Sequence, residues 1–143
     1  LDLRAIKFHD GNAELDDYEE GTWTPNNPYL TITNNNTAVY TKVGRLVTVQ
    51  FDCTYNSGPA DSSQSGGIIE GLPFQAQPNG FHFSPTFQNP SNVVQSNESK
   101  NFLSFVAGNS YEIYFYSEYN NCTAIRAEMA SHRVRGTVTY MAN

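Results

Sequence analysis

The chain has 143 residues, enough for one domain with a modest core, of which 38% are hydrophobic and only 15% charged. Its polar share is carried by 16 Asn, 12 Ser and 12 Thr, and aromatics reach 13%, which excludes the aromatic-poor, charge-rich composition of disordered chains. Net charge is -6, so eight Lys and Arg against fourteen Asp and Glu supply no ready basic surface for nucleic acid. No stretch approaches the apolar length of a membrane-spanning helix, about 18 residues.

Residues 1–8 alternate, with Leu1, Leu3 and Ala5 against Asp2, Arg4 and Lys7, and with Ile6 and Phe8 closing the run. This reads as a short strand or stalk segment. It starts mid-pattern at Leu1, without an initiator Met or a signal-peptide pattern, as expected of a fragment of something longer. Residues 9–18 are polar and turn-like. Residues 19–25 are expected to be extended, because Pro25 biases Thr24 away from the helical region.

The clearest element covers residues 38–55. Val47, Val49, Phe51, Cys53 and Tyr55 alternate with Thr48, Gln50, Asp52 and Thr54, the pattern of a half-buried strand. Val39, Thr41 and Val43 alternate ahead of it, and Gly44-Arg45 between the runs predicts a hairpin with a type II′ turn. Arg45, at the tip, is expected to be replaceable.

Residues 56–67 form a loop, and residues 66–74 a short strand ended by Pro73. Phe81, Phe83 and Phe87 are spaced as strand residues around Pro85. Residues 89–101, which hold Asn92 and Asn97, are a long polar stretch, and such loops are functional or disordered. Residues 110–117 alternate Tyr111, Ile113 and Phe115 with Glu112, Tyr114 and Tyr116, so both faces are apolar or aromatic. Ile125, Ala127 and Met129 suggest another strand, and Val134, Gly136, Val138 and Tyr140 a closing one. No window shows a 3.6-residue period and no repeat is visible. The expected fold class is all-β, an antiparallel β-sandwich.

No catalytic constellation emerges. Asp16, Asp17, Glu19 and Glu20 read as a solvated acidic turn rather than a cation loop or a glycosidase pair. His9, His82 and His132 are too scattered for a metal site within one chain. His9 is the one best placed to meet its copies on a threefold axis. Cys53 and Cys122 read as two buried thiols, with a disulfide as the alternative. No metal or cofactor is expected. Asn35, Asn97 and Asn121 head Asn-x-Ser/Thr sequons at close to the chance rate for this composition. Tyr114, Tyr116 and Tyr119 beside Asn120-Asn121 could form a carbohydrate-facing platform, because tyrosine stacks on sugar faces and asparagine both donates and accepts. An inter-subunit packing face is the competing reading. Trp23 beside Pro25 reads as a packing anchor.

The segment from Leu15 to Pro25, LDDYEEGTWTP, with Tyr40, Lys42-Val-Gly-Arg45, Val47-Thr-Val49 and Gly71-Leu-Pro-Phe74, resembles the C-terminal domain of bacteriophage tail fibres and tailspikes. The likeness covers residues 5–25, 38–51, 68–74 and 134–141, while residues 75–132 match nothing specific in it. The resemblance implies a homotrimeric β-sandwich at a fibre tip, in a virion assembled in the bacterial cytoplasm, and hence free thiols in a reducing compartment. It carries no catalytic role.

The combined expectation is a jelly-roll-like homotrimeric knob with a short N-terminal stalk segment, residues 1–25 forming stalk end and acidic junction and residues 26–143 the sandwich. Its partners would be its own copies and a bacterial surface polysaccharide or lipopolysaccharide, with no nucleic acid and no membrane insertion. Ligand contact is expected from Tyr114, Tyr116, Tyr119, Asn120, Asn121, Asn92 and Asn97, and junction or trimer contact from Phe8, Tyr18 and Trp23. A purely structural trimerisation cap, or an accessory domain of an upstream depolymerase, are the alternatives.

Overall fold

The computed structural model describes residues 6–7, 14–15, 17–56, 67–78, 81–83, 87–88, 102–117, 122–123, 130–131 and 133–143. Within them every regular element is a strand and every pairing is antiparallel. In chain order they are β1 (Ile6–Lys7), β2 (Glu14–Leu15), β3 (Tyr18–Thr22), β4 (Ile32–Val43), β5 (Leu46–Tyr55), β6 (Ile68–Glu70), β7 (Phe81–Phe83), β8 (Phe87–Gln88), β9 (Phe102–Ala107), β10 (Glu112–Ser117), β11 (Cys122–Thr123) and β12 (Arg133–Met141). One five-stranded sheet runs β3-β4-β5-β12-β8. The other runs β11-β10-β9-β7, with β6 also on β10. Among the described residues, β1 and β2 pair with each other alone, Ile6 opposite Leu15 and Lys7 opposite Glu14.

The alternation in β5 places Val47, Val49, Phe51, Cys53 and Tyr55 in the core. β12 adds Val134, Val138 and Tyr140 beside them, register-matched to Cys53, Val49 and Val47. The second sheet contributes Ile69, Val106, Ile113 and Phe115 to the same cluster. Phe51 of one sheet meets Phe115 of the other edge-to-face at 6.2 Å, so the two sheets share one core. The chain changes sheets between β7 and β8, which pair with β9 and β12 respectively.

The β4–β5 hairpin closes with Val43 opposite Leu46. Gly44 has φ +58 while Arg45 keeps a negative φ, as a II′ turn requires. Arg45 is less dispensable than the sequence implied. Its Nε donates to the Ala142 carbonyl at 2.9 Å and its Nη2 to Gln77 at 3.2 Å, tying the hairpin tip to the residue after β12 and to the segment that follows β6.

Three sequence expectations need correction. Tyr18 and the following acidic residues belong to an edge strand, not a turn, because Glu19 and Glu20 pair with Lys42 and Thr41 of β4. β4 starts at Ile32, well before residue 38, and absorbs Asn34 to Asn36 through two register irregularities. The strand expected over residues 66–74 is only Ile68–Glu70, because Gly71 turns the chain out of the sheet at φ +94. The strand expected around Ile125 lies outside the described residues.

Candidate functional site

The residues that carry the resemblance, from Leu15–Pro25 and from the segments around Tyr40 and Phe74, lie close together. Trp23 is 7% exposed. Its ring meets Phe51 edge-on at 6.4 Å, and its Nε1 donates to the Gln50 carbonyl at 3.3 Å. The Lys42 ammonium bonds Asp17 at 2.6 Å and lies 5.4 Å from the centre of the Phe74 ring. Tyr40 packs edge-on against the same ring and donates its hydroxyl to Glu19 at 2.5 Å. The Tyr140 hydroxyl donates to the Phe74 carbonyl at 2.9 Å. Gly21 lies under the Tyr40 ring, where a Cβ would come within 2.9 Å. A Cβ on Gly71 would run into the Thr24 carbonyl oxygen, well inside the 3.0 Å that real Cβ atoms respect. The motif residues therefore specify packing, and each acidic side chain among Asp17, Glu19 and Glu20 already has a partner: Lys42, Tyr40 and Tyr18.

A different surface gathers aromatic rings, carboxylates and an open pocket. In β10, Ile113 and Phe115 point into the core, so Glu112 and Tyr114 occupy the other face. Tyr114 stands opposite Phe105 of β9, and the two rings stack at 5.3 Å. Glu112 stands opposite Glu70 of β6, placing two carboxylates side by side. The Tyr114 hydroxyl donates to Glu112, and the Asn26 side-chain amide donates to Glu70 at 3.2 Å. The Glu112 hydrogen bond, partial burial and the charges of Glu112, Glu70 and Tyr29 hold the Tyr114 hydroxyl up at about 12.

Beside this face, residues 25–32 line an open surface pocket of about 310 Å³. Its wall is held by Asn27, a buried residue whose Oδ1 accepts from the backbone N–H of Tyr29 (2.8 Å) and Leu30 (2.7 Å), and whose Nδ2 donates to the Ile68 carbonyl at 2.6 Å. This is an Asx turn. Asn26 adds two backbone hydrogen bonds to Glu70, at 3.0 and 2.7 Å. Tyr29 stands on the rim, 41% exposed.

Of the residues singled out from sequence, Tyr114 belongs to this surface. β10 carries Tyr116 opposite Leu103 and Thr123. Tyr18 is 58% exposed at the far edge of the other sheet, its hydroxyl bonded to Glu20, and the fused contribution of that bond and of the Glu20 charge raises its pKa. Trp23 is a packing anchor of this chain's own core. Phe8, Asn92, Asn97, Tyr119, Asn120 and Asn121 lie outside the described residues. Sequence reading missed Asn27, Tyr29, Glu70 and the role of Glu112. Asn27 carried a readable signal, an Asx residue two positions before a turn. The Glu70–Glu112 pairing depends on strand register and left no local trace.

Among the described residues, no three His, Cys, Asp or Glu side chains gather as metal ligands. Cys53 is a free, buried thiol, pushed up to about 12 by burial and then by the Asp52 charge. No family model, curated protein or solved structure matches the chain.

Proposed function

We propose that this chain is the receptor-binding C-terminal domain of a phage tail fibre or tailspike, a jelly-roll-like sandwich that works as a homotrimer and adsorbs to a bacterial surface glycan. The observation that carries this reading is the convergence of the motif residues into one packed junction. Asp17, Gly21, Trp23, Lys42, Gly71 and Phe74 contact one another's segments, as residues of a shared architectural signature should. The motif thus supports setting and architecture, and leaves recognition to the remainder of the chain.

The tyrosine-bearing face of β10 suits that role. Aromatic faces stack on sugar rings, and neighbouring carboxylates and amides bond their hydroxyls, with no need for positive charge. Three copies per knob would convert weak contacts into firm adsorption. No enzymatic role is part of this reading.

Two measurements test it. Sedimentation velocity at micromolar concentration should give a three-chain species, and a clean 15.9 kDa species would remove the trimer. Fluorescently labelled protein should stain some members of a panel of bacteria, and periodate oxidation of the surface sugars should abolish the staining. Staining that survives periodate would remove the glycan.

A further inference from the structure

We propose that the pocket at residues 25–32 and the Glu70–Glu112 carboxylate pair form one binding site for a non-acidic oligosaccharide, an inference that rests on the receptor-binding reading above. The two features are continuous. Asn26 lines the pocket and bonds Glu70 through both backbone and side chain. Tyr29 lines the same pocket and is exposed there. The surface therefore runs from the pocket through Asn26 to Glu70 and Glu112, and along β10 to the stacked Tyr114–Phe105 pair.

The size fits at the small end of ligand pockets, which begin at roughly 300 Å³. The walls are already ordered by the Asn27 turn and the Asn26–Glu70 bridge, so binding need not fix them.

The chemistry selects the ligand. Like charges placed directly across two strands destabilise a sheet. Among the described residues, neither Glu70 nor Glu112 has a Lys or Arg partner, and their side-chain bonds are to Asn26 and Tyr114. Each carboxylate has about four acceptor positions, so most of that capacity is open to donors from outside. A sugar offers adjacent hydroxyl donors for such a pair and an apolar ring face for Tyr29 or Tyr114. Uronates, sialic acids and phosphorylated sugars would meet two carboxylates on a chain of net charge -6, and are rejected.

An array of bacterial surface oligosaccharides, grouped as neutral, amine-bearing and acidic, tests this with the 143-residue chain. The expected result is binding confined to the first two groups. Tyr29→Ala and Glu112→Gln should each weaken binding to the best array sugar at least tenfold. Glu112→Gln, which removes the like-charge contact, should not lower the melting temperature. Should Tyr29→Ala fail to fold, Glu70→Gln takes its place. Binding confined to acidic sugars overturns the selectivity. Wild-type binding that both variants retain overturns the site and leaves the receptor reading standing. An array with no bound sugar overturns both.

Discussion

Gly71→Ala should be among the most damaging single-methyl additions available to this fold. Two costs add at this position. The residue sits at φ +94, where a non-glycine residue stores roughly 1–3 kcal/mol. The new methyl would also overlap the Thr24 carbonyl oxygen, which is backbone and cannot rotate away. Relief requires the 24–26 segment to separate from β6. That movement opposes the paired Asn26–Glu70 backbone hydrogen bonds at 3.0 and 2.7 Å, worth about 1 kcal/mol each. The expected loss is therefore roughly 3–5 kcal/mol, a large part of the 5–15 kcal/mol that holds a typical domain together. Gly44→Ala is the matched control. It has φ +58 but nothing within 4 Å of the added methyl, so only the backbone cost of about 1–3 kcal/mol applies. Urea denaturation of both variants and the wild type, monitored by Trp23 fluorescence, separates clash from strain. If the two variants lose the same stability, the overlap with Thr24 is not what makes Gly71 necessary.

Asn27→Ala should cost roughly 2–4 kcal/mol, because it removes three hydrogen bonds and leaves the Leu30 N–H without its acceptor; an unchanged urea midpoint would contradict this. The Cys53 thiol, held at about 12, should resist a thiol reagent at pH 8 in the folded protein and react on denaturation, and rapid labelling of the native chain would contradict its burial. Tyr114 is raised from 10.0 to about 12, so its neutral form favours the fold. That contribution is complete below pH 10 and is lost as pH rises toward 12. Tyr114→Phe should accordingly lose less stability than the wild type between pH 9 and pH 11.5, and equal losses would contradict the assignment. Arg133→Met should lower the melting temperature only slightly by breaking the two-pronged, partly exposed contact with Asp52 at 2.7 and 2.5 Å, and a large drop would contradict this.

The parts of the fold readable in the sequence are those where burial and alternation coincide. Val47 to Tyr55 and Val134 to Tyr140 each bury one face, and period-two hydrophobicity records this directly. The Gly44 turn was equally legible, because only one backbone conformation calls for glycine at that place. The start of β4 was hidden, because Asn34 to Asn36 are poor strand residues and the register irregularities break the alternation. β3 was legible only in part: Pro25 marks residues 19–25 as extended, but Tyr18, Glu19 and Glu20 are exposed on an edge, so no hydrophobic pattern marks them as a paired strand. In the candidate site, Tyr114 could be found from its neighbours in sequence. Glu70 and Glu112 could not, since β6 and β10 acquire their register only when the second sheet forms.

The position of β12 bears on how this molecule is made. β12 sits inside its sheet, directly against β5, and Arg133 pairs with Thr54 from 79 positions away. At a synthesis rate of about 5–20 residues per second, the interval between those two residues lasts roughly 4–16 s. During that time β5 has β4 on one side and a bare hydrogen-bonding edge on the other. An edge of that kind invites pairing with any extended chain nearby, including a second nascent copy. Slow translation, low temperature or crowded polysomes should therefore favour exchanged or aggregated chains over correctly closed ones, and yield should depend more on the pace of synthesis than on the stability of the finished fold.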